Sequence, residues 1–202
     1  MKLYYTPGAG SLSAHICLRE AGLAFTPVLA NYKTKKLADG SDLLAVNSKG
    51  QVPLLELDDG QRLTEGPAIV QYIADQVPGR KLAPAWGTME RYRLIEWLNF
   101  IASELHKGFT PLFDPAMPEE AKALARAKLG QKLAWVDQQL HGRLYLMGNE
   151  FTVADAHLYA MSGWGKYAGV DIASLKNLSA WVARMAARPA VQEALKAEGL
   201  VK

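Results

Sequence analysis

The chain has 202 residues, half of them hydrophobic, with 23 Lys and Arg against 20 Asp and Glu, a net charge of +3. That length fits one large domain or two small ones with a sizeable core, and so small a positive excess does not argue for nucleic acid. No stretch approaches the roughly 18 apolar residues of a membrane-spanning helix, and a single cysteine permits no internal disulfide.

The first residues lack the charged start, apolar run and small-residue cleavage site of a signal peptide, so a cytoplasmic location with no membrane association is expected. Lys2–Tyr5 reads as a strand and Ser11–Ala21 as a helix, with Gly22 as its C-cap. Between them lies "TPGAGS", a turn that aims backbone N–H groups at one point. Phe25–Leu29 is a second strand, with Pro27 pointing to an edge position. Residues 31–40 read as an exposed loop, and a short helix is expected around residues 42–46. "QVPLLELDDGQRL" reads as a hairpin turning at Asp58, Asp59 and Gly60. "GPAIVQYIADQV" is a helix with Pro67 in its first turn, where a missing N–H costs least. The order is β-α-β-α-β-β-α, a mixed sheet with one parallel crossover.

Residues 79–87, within the Pro- and Gly-rich "PGRKLAPAWG", read as a linker. Beyond it no strand is expected. Helical spacing covers 88–107, 119–140, 153–167, 175–187 and a short segment from 190 to 197. This divides the chain into a small α/β domain, residues 1–78, and an all-helical one, residues 88–202.

The motifs "KLYYTPGAGSLSAHICLREAGL", "GQVPLLELDDGQRLTEGPAIVQYIADQ", "WLNFIASELHK" and "FTVADAHLYA" together resemble the cytosolic glutathione transferases, and among them the bacterial beta class. The resemblance covers essentially the whole chain. It implies a thioredoxin-like first domain, a helical second domain, a homodimer, and detoxification chemistry with glutathione as co-substrate and no metal. It also implies a cis peptide before Pro53, with Gln51, Val52 and Pro53 offering backbone groups to an extended peptide ligand. The N-terminus of the helix at Gly66 suits a carboxylate, and Glu65 suits an ammonium; a γ-glutamyl head carries both. The resemblance sets Lys35 against the glycine-end carboxylate of glutathione. In "WLNFIASELHK" a polar stripe, Glu96, Asn99, Ser103 and His106, lies on the side away from Leu94, Leu98, Ile101 and Leu105. The resemblance places Asn99, Ser103, Glu104, His106 and Lys107 around glutathione, some of them across the dimer interface.

The expected reaction is attack of the glutathione thiolate on a small hydrophobic electrophile. A free thiol has a pKa of about 8.5, so only a few per cent is ionised at neutral pH. A helix end contributes about 0.3–1 kcal/mol toward the thiolate, and one hydrogen bond to the charged sulfur about 1.5–3 kcal/mol. A single well-placed donor therefore decides whether such a site works. Beta-class relatives commonly carry cysteine where this chain has Gly10, so exchange through a protein thiolate is not expected here. The remaining donors are the Ser11 hydroxyl, the N–H groups of Gly10 and Ser11, and His106. A carrier with little catalysis, or a glutathione-dependent dehalogenase or isomerase, shares the same signature. The electrophile would meet the helical part near Phe109, Phe113 and Trp164. "FTVADAHLYA" reads as a capping box of Thr152 and Asp155, with His157 structural, and Cys17 reads as a buried, inert thiol. The four histidines show no ligand spacing, so no metal is expected.

Overall fold

A computed structural model describes residues 1–201. Strand β1 (Lys2–Tyr5) leads through the turn into α1 (Leu12–Ala21) and returns in parallel as β2 (Thr26–Asn31). The loop expected at residues 31–40 contains a two-residue strand, β3 (Lys36–Leu37), pairing with Ala30 and Asn31. β3 reaches only that end of β2, so Pro27, opposite Leu3, faces no neighbour on its outer side. A short helix α2 (Leu43–Val46) is capped by Asp42, which accepts the Leu44 N–H at 2.9 Å. The hairpin is shorter than its sequence suggests: β4 (Leu54–Glu56) and β5 (Arg62–Thr64) pair antiparallel. Helix α3 (Gly66–Asp75) follows, completing a sheet in the order β3-β2-β1-β4-β5.

The C-cap of α1 has the expected form. Gly22 takes φ +68°, its N–H donates to Arg19 O, and the Leu23 N–H donates to Leu18 O. Helix α1 is almost wholly buried, and residues 14 to 18 have no exposed surface. The turn that opens α1 is thus anchored to one of the most enclosed helices of the molecule.

The segment after α3 opens with a 3-10 turn, Pro78–Arg80, and is pinned by side chains. The buried Arg91 guanidinium forks onto Asp75 at 2.9 Å, donates to Pro84 O, and lies 3.9 Å from the Trp86 ring centre. The helical part starts with α4 (Met89–Phe100), capped by Thr88. It runs into a π-helical turn, Ile101–His106, and on into α5 (Lys107–Phe113), so the helix outlasts its expected end at Lys107. Wide turns of this kind concentrate at functional sites. Then come α6 (Glu119–Gln139), α7 (Val153–Ser162), α8 (Gly165–Ala168), α9 (Lys176–Ala186) and α10 (Pro189–Ala197). The helix expected over 153–167 breaks near Gly163. Among the described residues no helix is long and apolar enough to cross a membrane.

The capping box at the start of α7 is present and larger than its motif implies. Asp155 Oδ2 accepts the Thr152 N–H at 2.9 Å and the Thr152 hydroxyl at 3.1 Å. Oδ1 accepts the Leu146 N–H at 2.9 Å and the Trp181 indole N–H at 3.1 Å. Burial pushes this carboxyl up to about 6, against four hydrogen bonds that hold it down. It is therefore ionised at pH 7.

Candidate functional site

The turn of residues 6–11 ends in the N-terminus of α1, where backbone donors lack intrahelical partners. The Gly10 and Ser11 N–H groups are donated to no protein acceptor among the described residues. A Cβ built on Gly10 would lie 3.3 Å from His106 Cε1 and 3.9 Å from Nδ1. The imidazole therefore stands beside Gly10. Burial and, less strongly, Lys107 hold its pKa below the usual histidine value, with Glu65 acting in the opposite sense. His106 is neutral at pH 7 and keeps one ring N–H to donate.

The Ser11 hydroxyl does not join this group. It is buried, donates to Thr6 O at 3.2 Å and accepts the Thr6 N–H at 3.2 Å. Nor does it cap α1. Its proton closes the turn on itself, and the contribution of this residue to the site is its backbone N–H. Neither tyrosine of β1 is directed here: Tyr4 reaches Glu56, and Tyr5 packs edge-on to His15.

Val52–Pro53 is cis. Among the described residues the Val52 N–H and C=O pair with nothing, while Gln51 O is held by the Asn47 side chain at 2.8 Å. Glu65 occupies the N-cap position of α3 without capping it and has φ +71°, a left-handed conformation that a side-chain-bearing residue adopts only under constraint, and such strain clusters at binding sites. Its exposed carboxylate pairs with Lys49, and the Gly66 N–H heads the helix undonated. Lys35 folds back to donate to Gly50 O at 2.7 Å. Asn99 and Lys107 are exposed, and the exposed Ser103 hydroxyl bonds to Asn99 O at 2.9 Å. Glu104 departs from the expected cluster: it turns to α6 and pairs with Lys132.

Beyond His106 lies an aromatic wall. Trp164 packs edge-on to His106 at 5.0 Å, to Phe109 at 5.6 Å and to Phe113 at 6.0 Å between ring centres. Phe113 remains about half exposed, leaving one side of the wall open to solvent. Polar donors thus meet an apolar surface at one place. An open groove of about 710 Å³ beside residues 74–90 shares no lining residue with this constellation.

Glu198 escapes sequence reasoning, while His157 is the structural histidine expected from its motif. Glu198 holds the turn from the far end of the chain, bonding the Gly8 N–H at 2.9 Å, and no local pattern marks it. His157 lies under Gly66, 3.1 Å from the position a Cβ would take there, with neither ring nitrogen hydrogen-bonded among the described residues. Burial, aided by His106, lowers its pKa to about 3. Unfolding lets it regain its ordinary value of 6.5, so the stability it preserves is full above pH 6.5 and declines as pH falls toward 3. Asp155, raised when folded, has the opposite slope: its contribution is full below 3.8 and is lost as pH rises through about 6. The two offset each other in the wild type, and a variant separates them. Below pH 6.5, the wild type should lose about 1.4 kcal/mol per pH unit relative to His157→Gln. Denaturant unfolding of both proteins at pH 7.5, 6.0 and 5.0 checks this, and parallel stability profiles would refute it.

Cys17 is fully buried in α1 and its thiol is pushed well up by that burial, so it is inert. No group of three His, Cys, Asp or Glu side chains placed to hold a metal ion occurs among the described residues.

Comparison with known proteins identifies the family of the chain. Residues 1–75 match the family model for the glutathione S-transferase N-terminal domain, and residues 100–189 match the model for its C-terminal domain. The chain is 52% identical over 200 residues to glutathione S-transferase GstA of Escherichia coli O157:H7, spanning 99% of this chain and all of that one. It is 39% identical to glutathione S-transferase GST-4.5 of Xanthomonas campestris, over 99% of this chain and all of the relative. A sphingomonad glutathione S-transferase solved in complex with glutathione superposes with a TM-score of 0.96 at 51% identity, over the whole of both chains. A bacterial beta class enzyme from Sphingomonas chungbukensis does so with a TM-score of 0.96 at 50% identity, again over both whole chains.

Proposed function

The chain belongs to the glutathione S-transferases and is a glutathione transferase of the bacterial beta class, and from that premise we propose that it joins glutathione to small, flat, hydrophobic electrophiles. The observation that carries this reading is the meeting of two free N–H groups, a neutral imidazole and an open aromatic wall around Gly10.

In this reading the sulfur of glutathione sits against the Gly10 and Ser11 N–H groups, with His106 at its side. The cysteinyl peptide pairs with the Val52 N–H and C=O, beside Gln51 and Pro53, as an added strand. The γ-glutamyl carboxylate caps α3 at Gly66, and its ammonium meets Glu65, displacing or sharing Lys49. Lys35 leaves Gly50 O for the glycine carboxylate. Asn99, Ser103 and Lys107 border the ligand on the helical side. The thiol gives its proton to solvent water, and the thiolate, held by three donors, forms a bond to the electrophilic carbon as the leaving group departs with its electron pair. The aromatic wall selects planar partners by edge and face contacts. We further propose that the chain works as a homodimer in the cytoplasm. With Gly10 at the turn and Cys17 sealed inside α1, the chemistry is addition or substitution at carbon, without a protein–glutathione disulfide.

Steady-state kinetics with a chromogenic aryl halide test the proposal. Saturable turnover in both substrates is expected, inhibited competitively by S-alkyl glutathiones. Glutathione binding by calorimetry without turnover over several electrophiles would instead describe a carrier.

A further inference from the structure

Glu198 follows α10 and has no exposed side-chain surface. One carboxylate oxygen meets His15 Nδ1 at 2.9 Å, and the other accepts the Gly8 N–H at 2.9 Å. The same Gly8 peptide is gripped from its other end, because the Trp164 indole N–H donates to Gly8 O at 2.7 Å. Leu200 comes within 3.4 Å of the Cβ position at Gly8. His15 is itself immobile on α1, its ring between the edges of Tyr5 and Phe25 at 5.8 and 5.3 Å. The carboxylate thus ties a fixed point inside α1 to the turn that opens α1, two residues before Gly10.

Stability alone does not select such a group. A buried charge loses its hydration, and an apolar side chain of similar volume often serves a core as well or better. What the carboxylate adds is direction: a strong acceptor aimed at one backbone N–H.

We propose that Glu198 is a positioning residue of the thiolate site. Acting through Gly8, it sets the angle at which the Gly10 and Ser11 N–H groups meet the sulfur. The inference rests on the glutathione reading above. The expected signature is a site that still binds the peptide portion of glutathione but ionises its thiol poorly.

The test compares the full-length wild type with Glu198→Gln and Glu198→Ala. Glutathione affinity is measured by calorimetry, the pKa of the bound thiol by thiolate absorbance, and kcat and KM with an aryl halide, with circular dichroism to establish folding. Misplaced catalytic groups cost rate steeply, so Glu198→Ala should lower kcat/KM about 10- to 100-fold. Most of that fall should lie in kcat, with the bound-thiol pKa raised. Glu198→Gln keeps an acceptor for the Gly8 N–H and a partner for His15, and should recover most of the rate. If the alanine variant does not fold, Glu198→Asp replaces it: one methylene shorter, it cannot span both partners, and the same rise in thiol pKa is expected. A folded alanine or aspartate variant with wild-type thiol pKa and kcat/KM would overturn the proposal. A wild type that neither binds glutathione nor ionises its thiol would overturn the functional reading, and this inference with it.

Discussion

Replacing His106 with alanine should lower kcat/KM for conjugation by about 10- to 100-fold, the worth of one hydrogen bond to a charged group. With the Ser11 hydroxyl locked onto Thr6, the side-chain donor beside the Gly10 and Ser11 N–H groups is the imidazole. The end of α1 supplies about 0.3–1 kcal/mol, less than one pKa unit, and cannot ionise the thiol by itself. Burial keeps the ring neutral, and Trp164 fixes its plane. A neutral imidazole either donates a hydrogen bond to the thiolate or takes the thiol proton. His106→Asn separates these, since asparagine donates but does not titrate. We expect it to retain activity within about fivefold of wild type, as donation to the charged sulfur requires. The bound-thiol pKa should rise in the alanine variant and return most of the way with asparagine. Alanine kinetics indistinguishable from wild type would remove His106 from the mechanism.

The largest effect on stability is expected at Asp155. Alanine there deletes both oxygens of the capping box and strands the Leu146 N–H, the Thr152 N–H and the Trp181 indole N–H away from water. Unmet buried donors cost about 1–3 kcal/mol each, and such losses are not additive, so a total of about 3–5 kcal/mol is expected. Against a stability of about 5–15 kcal/mol that is a large fraction. At about 2–4 °C per kcal/mol for a chain this long, the melting point should fall by roughly 6–20 °C. Asp155→Asn keeps one acceptor oxygen and should lose about half as much. Denaturant midpoints at pH 7 provide the measurement. A shift below about 1 kcal/mol, the scale of one ordinary cap, would mean that the network reaches no further than its motif.

Much of this was legible in the residues. The strand–turn–helix start, the Gly22 cap, the Thr152–Asp155 box and the run of helices all announce themselves through local pattern, and local pattern follows from local sterics and periodicity. What was not legible depends on which surfaces meet. Ser11 reads from sequence as a donor to the ligand, and only the fold of residues 6–11 turns its hydroxyl back onto Thr6. Glu104 lies next to the polar stripe, yet Lys132, 28 residues later, draws it to α6. The two-residue β3 is too short to show alternation, and a helix carrying Pro111 reads as a break. Glu198 contacts Gly8 across 190 positions, a distance over which no periodicity speaks.

Gly10 is free of the usual reason for glycine. Its φ is not left-handed, and a Cβ there meets only the edge of the His106 ring, which need yield a few tenths of an ångström. A Cβ therefore fits at this turn once the His106 ring yields. Two of the glycine codons become cysteine codons by a change of one base. Where the Gly10 codon is one of those two, a thiol can enter the tip of this turn by a single base change.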